Sequence, residues 1–503
     1  MRSIALEEDH LIRALRRVAS FKAFRMMLMG ICVILVGAAL TQGIALADGD
    51  PSGEATIEAD PTAAVNFTWT LMAAFLVFFM QAGFALLEAG SVRSKSVTNV
   101  LTKNVMDFLM CGLAFWAFGF AIMFGGSELG SGLADGNKLF GTSGFFLAGD
   151  AYDVTSYEVW IFQMVFAATA ATIVSGTMAE RTRINAYMAY SFLISAIIYP
   201  VYGHWLWGGG WLANMSTPAV DFAGSGVVHT VGGTAALVGG LMLGPRIGKF
   251  GPDGKPRAIP GHNMAFVVLG TLILFLGWFG FNPGSTLAAT SLRISVIAVN
   301  TFLAAVAGGL VVYYIRFIET GKVDIAATCS GIIGGLVAIT APCAFVESWA
   351  ALVIGAVAGP IVLYGARFLE SALKLDDPVW AVPCHMLSGL WGVLAVGIFA
   401  DGTYGVSGLI DGNSAQIVSQ VISMVVVVAW TGIMSAIIFG VIKMTMGLRV
   451  PEEDELAGVD VSEHTQAAYP EFAPALEPSG AMLSGTARSD AAPGGGLAPV
   501  TGV

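Results

Sequence analysis

Between Val65 and Gly447 the chain is a near-continuous succession of apolar runs, each long enough to cross about 30 Å of hydrocarbon. They begin near Val65, Val97, Val159, Ala186, Phe222, Asn263, Ser295, Ile325, Trp349, Trp380 and Ile417, which makes eleven. In lipid every backbone donor and acceptor needs a partner within the chain, so a run of this kind is read as a helix. The expected fold is therefore an all-α polytopic membrane protein with eleven transmembrane helices. Only 12% of the residues are charged, against about a quarter in soluble domains, and an ordinary soluble enzyme is excluded. Glycine, at 63 of 503 residues, is well above its usual ~7% and lets helix backbones approach closely in a bilayer.

Lysine and arginine orient the chain. Counted over alternate loops, fifteen fall on one side, from Arg93, Lys95 and Lys103 through Arg181, Arg183 and Arg246 to Lys443 and Arg449, and only Lys138 and Arg293 on the other. The positive-inside bias puts the start of the first span outside and the carboxyl tail in the cytoplasm. Upstream, Arg13, Arg16, Arg17, Lys22 and Arg25 precede an apolar run from Met26 that ends in Ala45-Leu46-Ala47. This reads as a signal peptide over residues 1–47; the alternative is a retained twelfth helix, which leaves the remaining topology unchanged. Residues 48–64 then form an extracytoplasmic segment, 65–447 the membrane domain and 448–472 an acidic cytoplasmic tail. Residues 473–503, rich in Ala, Pro, Gly and Ser, are expected to be disordered. The five cysteines contain no CxxC pair and suggest neither a disulfide framework nor a zinc site. A net charge of −11 argues against a nucleic-acid partner.

One spacing occurs twice. Asp221 stands eight residues before His229, and Asp377 eight before His385, at an offset of 156. The first pair follows the loop poor in cations and the second follows Arg367 and Lys374, so the two helices enter from opposite faces. At 1.5 Å per residue each histidine would lie about 12 Å below its aspartate. Both then end near the middle, which is the trace of an inverted repeat with a site between its halves. Each histidine also has a glycine four residues on, Gly233 and Gly389. Ionisable residues at membrane depth are functional candidates by default. Two neutral imidazoles in contact can satisfy each other, one donating and one accepting; the alternative is two unrelated core histidines. No metal is expected, because nothing nearby supplies a third ligand. Asp221, at a helix start, suits a structural or electrostatic role. Asp376 and Asp377, followed by Pro378, read as caps.

Trp207, Phe166 and Phe281 lie near the outward ends of spans, with Ser285 close to Phe281 in sequence. Interfacial aromatic belts account for such residues singly. Together with a hydroxyl they could hold a small cation on ring faces.

Several motifs resemble those of the ammonium transporter family, the Amt branch of the Amt and Rh superfamily, over roughly residues 65–472. They are Gln81-Ala-Gly-Phe-Ala-Leu-Leu-Glu-Ala-Gly-Ser-Val-Arg93, Asp221-Phe-Ala-Gly-Ser-Gly-Val-Val-His229, Gly277-Trp-Phe-Gly-Phe-Asn-Pro-Gly-Ser285, Cys329-Ser-Gly and Asp376-Asp-Pro. The resemblance implies five-plus-five inverted repeats and a final helix, assembled as a homotrimer with one pore per subunit in the plasma membrane. It assigns Trp207, Phe166 and Ser285 to an outer ammonium recruitment site, Phe166 and Phe281 to a gate, and His229 and His385 to the pore. Asp221 would support the outer site without lining the pore. Residues Glu452 to Tyr469 are similar to the family's regulatory carboxyl terminus, a docking region for a PII signalling protein. Trp380, Pro383 and Cys384 depart from the bacterial pattern and put the inner vestibule in doubt. The implied activity is ammonium transport with no cofactor and no enzymatic step: ammonium is deprotonated, ammonia passes, and the proton follows separately. Competing readings are a sensor signalling through a bound protein, a passive ammonia or carbon dioxide channel, and a redox protein using the paired histidines as haem ligands.

Overall fold

In a computed structural model the structure describes residues 49–472, apart from 128, 131–132, 134–136 and 465, together with residue 30. The expected signal peptide, residue 30 apart, and the expected disordered segment 473–503 lie outside these residues. Among the described residues there are no strands, only three isolated bridges.

Among the described residues ten helices are long and apolar enough to cross a membrane, and a shorter apolar one makes eleven. In chain order they are α1 (Ala63–Ser91), α2 (Ser94–Phe124), α3 (Val154–Met178), α4 (Ile184–Trp207), α5 (Ser225–Leu243) and α6 (Met264–Phe281). There follow α7 (Ile294–Thr320), α8 (Ile325–Thr340), α9 (Ser348–Ala372), α10 (Val382–Phe399) and α11 (Ala415–Thr445). The chain is an all-α polytopic membrane protein, as its apolar runs predict. Side-chain caps start α3, α6 and α8, where Asp153, Asn263 and Asp324 accept from amides of the first turn.

Burial sorts the helices into layers. In α3, 89% of the most apolar window is buried within the chain, against 33% in α11, so α3 is central and α11 peripheral. Large apolar side chains remain exposed on the outer helices, among them Phe75, Phe78 and Phe79 on α1 and Val425 and Ile433 on α11. That is the surface expected where the surrounding solvent is hydrocarbon. α1 lies along α6, α7 along α8 and α9, and α3 along α5.

Helices α5 and α10 start from opposite ends of the bundle. The chain before α5 is tied to the end of α4, where Trp207 Nε1 donates to the Asp221 carbonyl at 2.7 Å. The chain before α10 is tied to the other end, where Arg246 binds Asp376. Both helices open with a π-helical turn, Ser225–Thr230 and Val382–Leu387, and each turn carries one of the two histidines. Single π turns inside helices are frequent at functional sites. The two helices cross just past the histidines, and glycine makes the crossing possible. A Cβ on Gly233 would sit 2.3 Å from the Met386 amide nitrogen, and one on Gly389 2.5 Å from the Ser225 carbonyl oxygen.

At the Arg246 end a buried ionic cluster replaces one expected cap. Asp376 does not cap α10. It takes the Arg246 guanidinium on both carboxylate oxygens, Nε to Oδ2 at 2.8 Å and Nη2 to Oδ1 at 2.9 Å. Arg246 Nη1 also donates to Glu180 at 2.6 Å, and Arg93 donates to the same carboxylate. Capping is left to Asp377, which accepts from Ala381 and Val382. A second difference concerns Lys103, counted above among loop cations. It lies inside α2 and is fully buried. The tail folds back onto this same end. Glu455 accepts from the Ile247 amide and from Arg449, each at 2.7 Å. Asp460 accepts from the Thr98 and Asn99 amides at 3.0 and 2.8 Å, and the Tyr469 hydroxyl meets His262 Nε2 at 2.7 Å.

Candidate functional site

The sequence-predicted aromatics and histidines form one column through the bundle. Trp207, the last residue of α4, meets the edge of Phe166 with ring centroids 6.4 Å apart. Phe166 of α3 stacks on Phe281 of α6 at 4.0 Å and 26°. Phe281 stacks on His229 at 5.3 Å, and His229 meets His385 side by side, the rings within 25° of parallel and their centroids 5.3 Å apart. Phe166, Phe281 and His229 are fully buried, and His385 nearly so.

The two imidazoles share a bond, Nδ1 to Nδ1, at 3.2 Å. A neutral ring carries one N–H, so one partner donates from Nδ1 while the other accepts there and holds its proton on Nε2. His229 Nε2 makes no hydrogen bond among the described residues although it is buried. Such an atom costs free energy unless something else pairs with it, and here it is free to meet a small molecule able to donate or accept. Trp278, which also packs against Phe281, lies nearly parallel to the His229 ring at 5.1 Å and 19°, and is itself anchored by Nε1 donating to Thr340 Oγ1 at 2.9 Å. A porphyrin does not fit between the histidines. Two axial imidazoles bonded to one iron stand about 4 Å apart, nitrogen to nitrogen, at ~2 Å per bond, with the macrocycle between them. The observed pair is closer, and its nitrogens are bonded directly to each other.

Ser285 lies one turn beyond Phe281, and its hydroxyl donates to the Phe281 carbonyl at 2.7 Å. With its proton engaged, Oγ presents lone pairs to a donor. Asp221 is nearly buried, and its carboxylate gathers four amides: Gly224 and Ser225 on Oδ1, Gly226 and Val227 on Oδ2, all between 2.7 and 3.0 Å. These are the orphan donors of α5's first turn. Its neighbour is the backbone-anchored Trp207, so the two are tied by Asp221's carbonyl and not by its carboxylate.

On the far side of the pair, His385 lines a small and mainly apolar cavity with Phe84, Glu88, Ser330, Val379 and Cys384. Cys384, unassigned from sequence, donates weakly to the Ser330 carbonyl. Trp380 holds a left-handed backbone, φ 57°, in the loop before α10. Sequence reasoning gave no role to Trp278, Glu88, Lys103, Asp107, Glu180 or Arg246. For Glu88, Lys103 and Asp107 a signal was present, since each is an ionisable residue within an apolar run.

The helical bundle and its buried ring column define a polytopic membrane protein of the transporter class. The chain belongs to the Ammonium Transporter Family, whose model matches residues 68–469. It is 51% identical over 445 residues to ammonium transporter Amt2 of Archaeoglobus fulgidus, covering 85% of this chain and 93% of that protein. It is 38% identical to ammonium transporter 1 member 3 of Solanum lycopersicum, covering 82% and 94%. Among solved structures it is similar to one named Sensor Amt Protein, with a TM-score of 0.74 and 36% identity over 80% of this chain and 99% of that one. It is also similar to Mep2 of Candida albicans, with a TM-score of 0.70 and 29% identity over 82% and 92%.

Proposed function

We propose that the chain transports ammonium by separating it into ammonia and a proton. Ammonium is recruited where the Trp207 and Phe166 rings offer cation–π attraction and Ser285 Oγ accepts a hydrogen bond. It gives up its proton there, and the neutral molecule moves past the Phe166–Phe281 stack, which must part, to the histidine pair. Potassium has similar size and charge but no proton to lose, so the dry column rejects it. The proton travels by the imidazoles, making transport electrogenic. The observation that carries this reading is the shared Nδ1 bond beside the unpaired His229 Nε2. Asp221 serves it indirectly, holding the start of α5.

By the lysine and arginine asymmetry, the Trp207 end faces outside and the Arg246 end the cytoplasm. We assign a homotrimer in the plasma membrane, one path per subunit, with a PII signalling protein meeting the Arg246 end and the docked tail. Its support is the resemblance in motif and the tail's contacts with that end.

The test is ammonium-evoked current in proteoliposomes, measured against potassium. Wild-type protein is expected to give current with ammonium alone, and the H229L/H385L double variant none. Undiminished current in that variant would remove the histidines from the relay. Ammonia uptake without current in the wild type would leave a passive channel. One comparison favours a second reading: the similar structure named as a sensor spans nearly its whole length here. Ammonium binding without flux would establish that reading in place of the first.

A further inference from the structure

We propose that Glu88 carries the proton path beyond the histidine pair, and that Glu88, Lys103 and Asp107 form a buried cluster which takes up and releases one proton in each transport cycle. The inference rests on the separated-proton reading above and adds residues to it.

Glu88 lies near the end of α1 and is 2% exposed; Lys103 and Asp107, one turn apart on α2, are 0% exposed. Glu88 and His385 line the same cavity, so a carboxylate and the imidazole that ends the ring column border one small space. Ser175 of α3 links the acid to the base. Its hydroxyl donates to Glu88 Oε2 at 2.6 Å, and its carbonyl accepts from Lys103 Nζ at 3.0 Å. Lys103 Nζ also stands 5.3 Å over the Tyr187 ring. Asp107 accepts from Gln81 Nε2 at 2.6 Å and pairs with the Tyr187 hydroxyl at 2.9 Å.

Charge counting then constrains protonation. One ammonium balances one carboxylate, and a second ionised carboxylate would leave uncompensated charge in a dry interior. The neutral cluster therefore holds one more proton than Lys103 accounts for, on Glu88 or on Asp107. Tyr187 lets Asp107 adopt either state, because its hydroxyl also reaches the Ala171 carbonyl at 3.3 Å and, when it donates there, can accept a hydrogen bond from protonated Asp107. A purely structural cross-link between helices would not need a second acid or an opening onto the histidine cavity. The other titratable groups facing Glu88 are Cys384 and His385 on α10 and Asp377 before it, with Arg181 and Glu180 beyond Lys103.

The step balances. Ammonium at the Trp207 end gives a proton to water, which delivers it to His229 Nε2; the pair relays it through the shared Nδ1 bond; His385 releases a proton into the shared cavity, where the Glu88 carboxylate becomes a carboxylic acid and the cluster carries one positive charge until that proton leaves. Glu88 then returns it toward the Arg246 end, where ammonia is reprotonated, and its carboxylate is restored.

The experiment measures ammonium-evoked current and ammonia-driven internal alkalinisation on the same proteoliposomes for wild type and Glu88→Gln. Glutamine keeps the shape and an acceptor for Ser175 but cannot take the proton. Current is expected to fall at least about tenfold, while alkalinisation, which a proton arriving with each ammonia cancels in the wild type, appears in the variant. Wild-type current in the variant, or loss of current with no alkalinisation, would overturn the proposal, the second by showing a structural role. In both cases a current in the wild type leaves the separated-proton reading standing; a wild type without current brings down both. Should Glu88→Gln fail to assemble, Ser175→Ala carries the test. Losing that donor favours protonated Glu88, so the pH midpoint of the current should move upward, and an unmoved midpoint would overturn the proposal.

Discussion

His229 and His385 hold opposite tautomeric roles through a single Nδ1 contact, and the rings that stack on His229 leave it little freedom to turn. In the proposed relay, passage of a proton along the pair exchanges those roles, so a second proton cannot follow in the same sense until they are exchanged back. The recruitment end is more open to direct test. Trp207 meets Phe166 by its edge, and a cation–π term of about 1–2 kcal/mol predicts that Trp207→Leu raises the half-saturating ammonium concentration roughly tenfold, with the maximal current kept. Concentration dependence of the reconstituted current checks it. Phe281 packs on Phe166, Trp278 and His229 at once, and Phe281→Ala should cost about 3–5 kcal/mol of stability, measurable as an earlier thermal transition in detergent. The histidines were legible because their spacing repeats, and a repeat survives without coordinates. Glu88 and Trp278 occur once, and nothing in a linear pattern says which face of α1 or α6 they occupy.

Helices α5 and α10 show where helix arithmetic stops being a guide. A continuous rise from aspartate to histidine does not exist here, since residues 221–224 are not helical, Gly224 has φ 116°, and a π turn follows. The Asp–His register was legible; the path between them was not, because it depends on four amides converging on Asp221 instead of running along a helix. The glycines four residues past each histidine were visible as an echo, and their reason is the crossing. Gly233→Val should therefore destabilise by about 1–3 kcal/mol, since its Cβ would meet the Met386 backbone. Gly440 of α11 has nothing within 4 Å of such a Cβ, and Gly440→Ala is expected to stabilise by about 0.5–1 kcal/mol. Thermal melting of the two variants in one detergent compares them; equal shifts would deny that the crossing is tight.

On the scale of the whole molecule, eleven helices and their alternation were legible from hydropathy alone, whereas the ionic cluster that gathers their ends was not. Asp376 looked like a cap because it precedes proline, and only the return of Arg246 from another loop gives it a different partner. Burial would raise the Asp376 carboxyl, but Arg246 and Arg181 beside it hold it at about 2, below its usual 3.8. A depressed acid stabilises fully above its unfolded value and loses that contribution as pH falls through its folded one. Stability in detergent should accordingly decline between about pH 4 and pH 2, and Asp376→Asn should flatten that decline. The same variant should cost about 3–5 kcal/mol at neutral pH by removing one of the two carboxylates that pair with the buried Arg246 guanidinium. Glu180 is likewise held low by Arg246 and Arg93 against its burial, so it belongs to the same acid-sensitive unit.

The tail's grip on α2 has a mechanical consequence. Asp460 takes the Thr98 and Asn99 amides, and Lys103 rides one turn further along that helix, with Asp107 a turn beyond it. Lifting residues 459–463 uncaps the rod that carries both side chains. A ligand that lifts the tail therefore acts on Lys103 and Asp107 through the end of their helix, at a distance from the ring column.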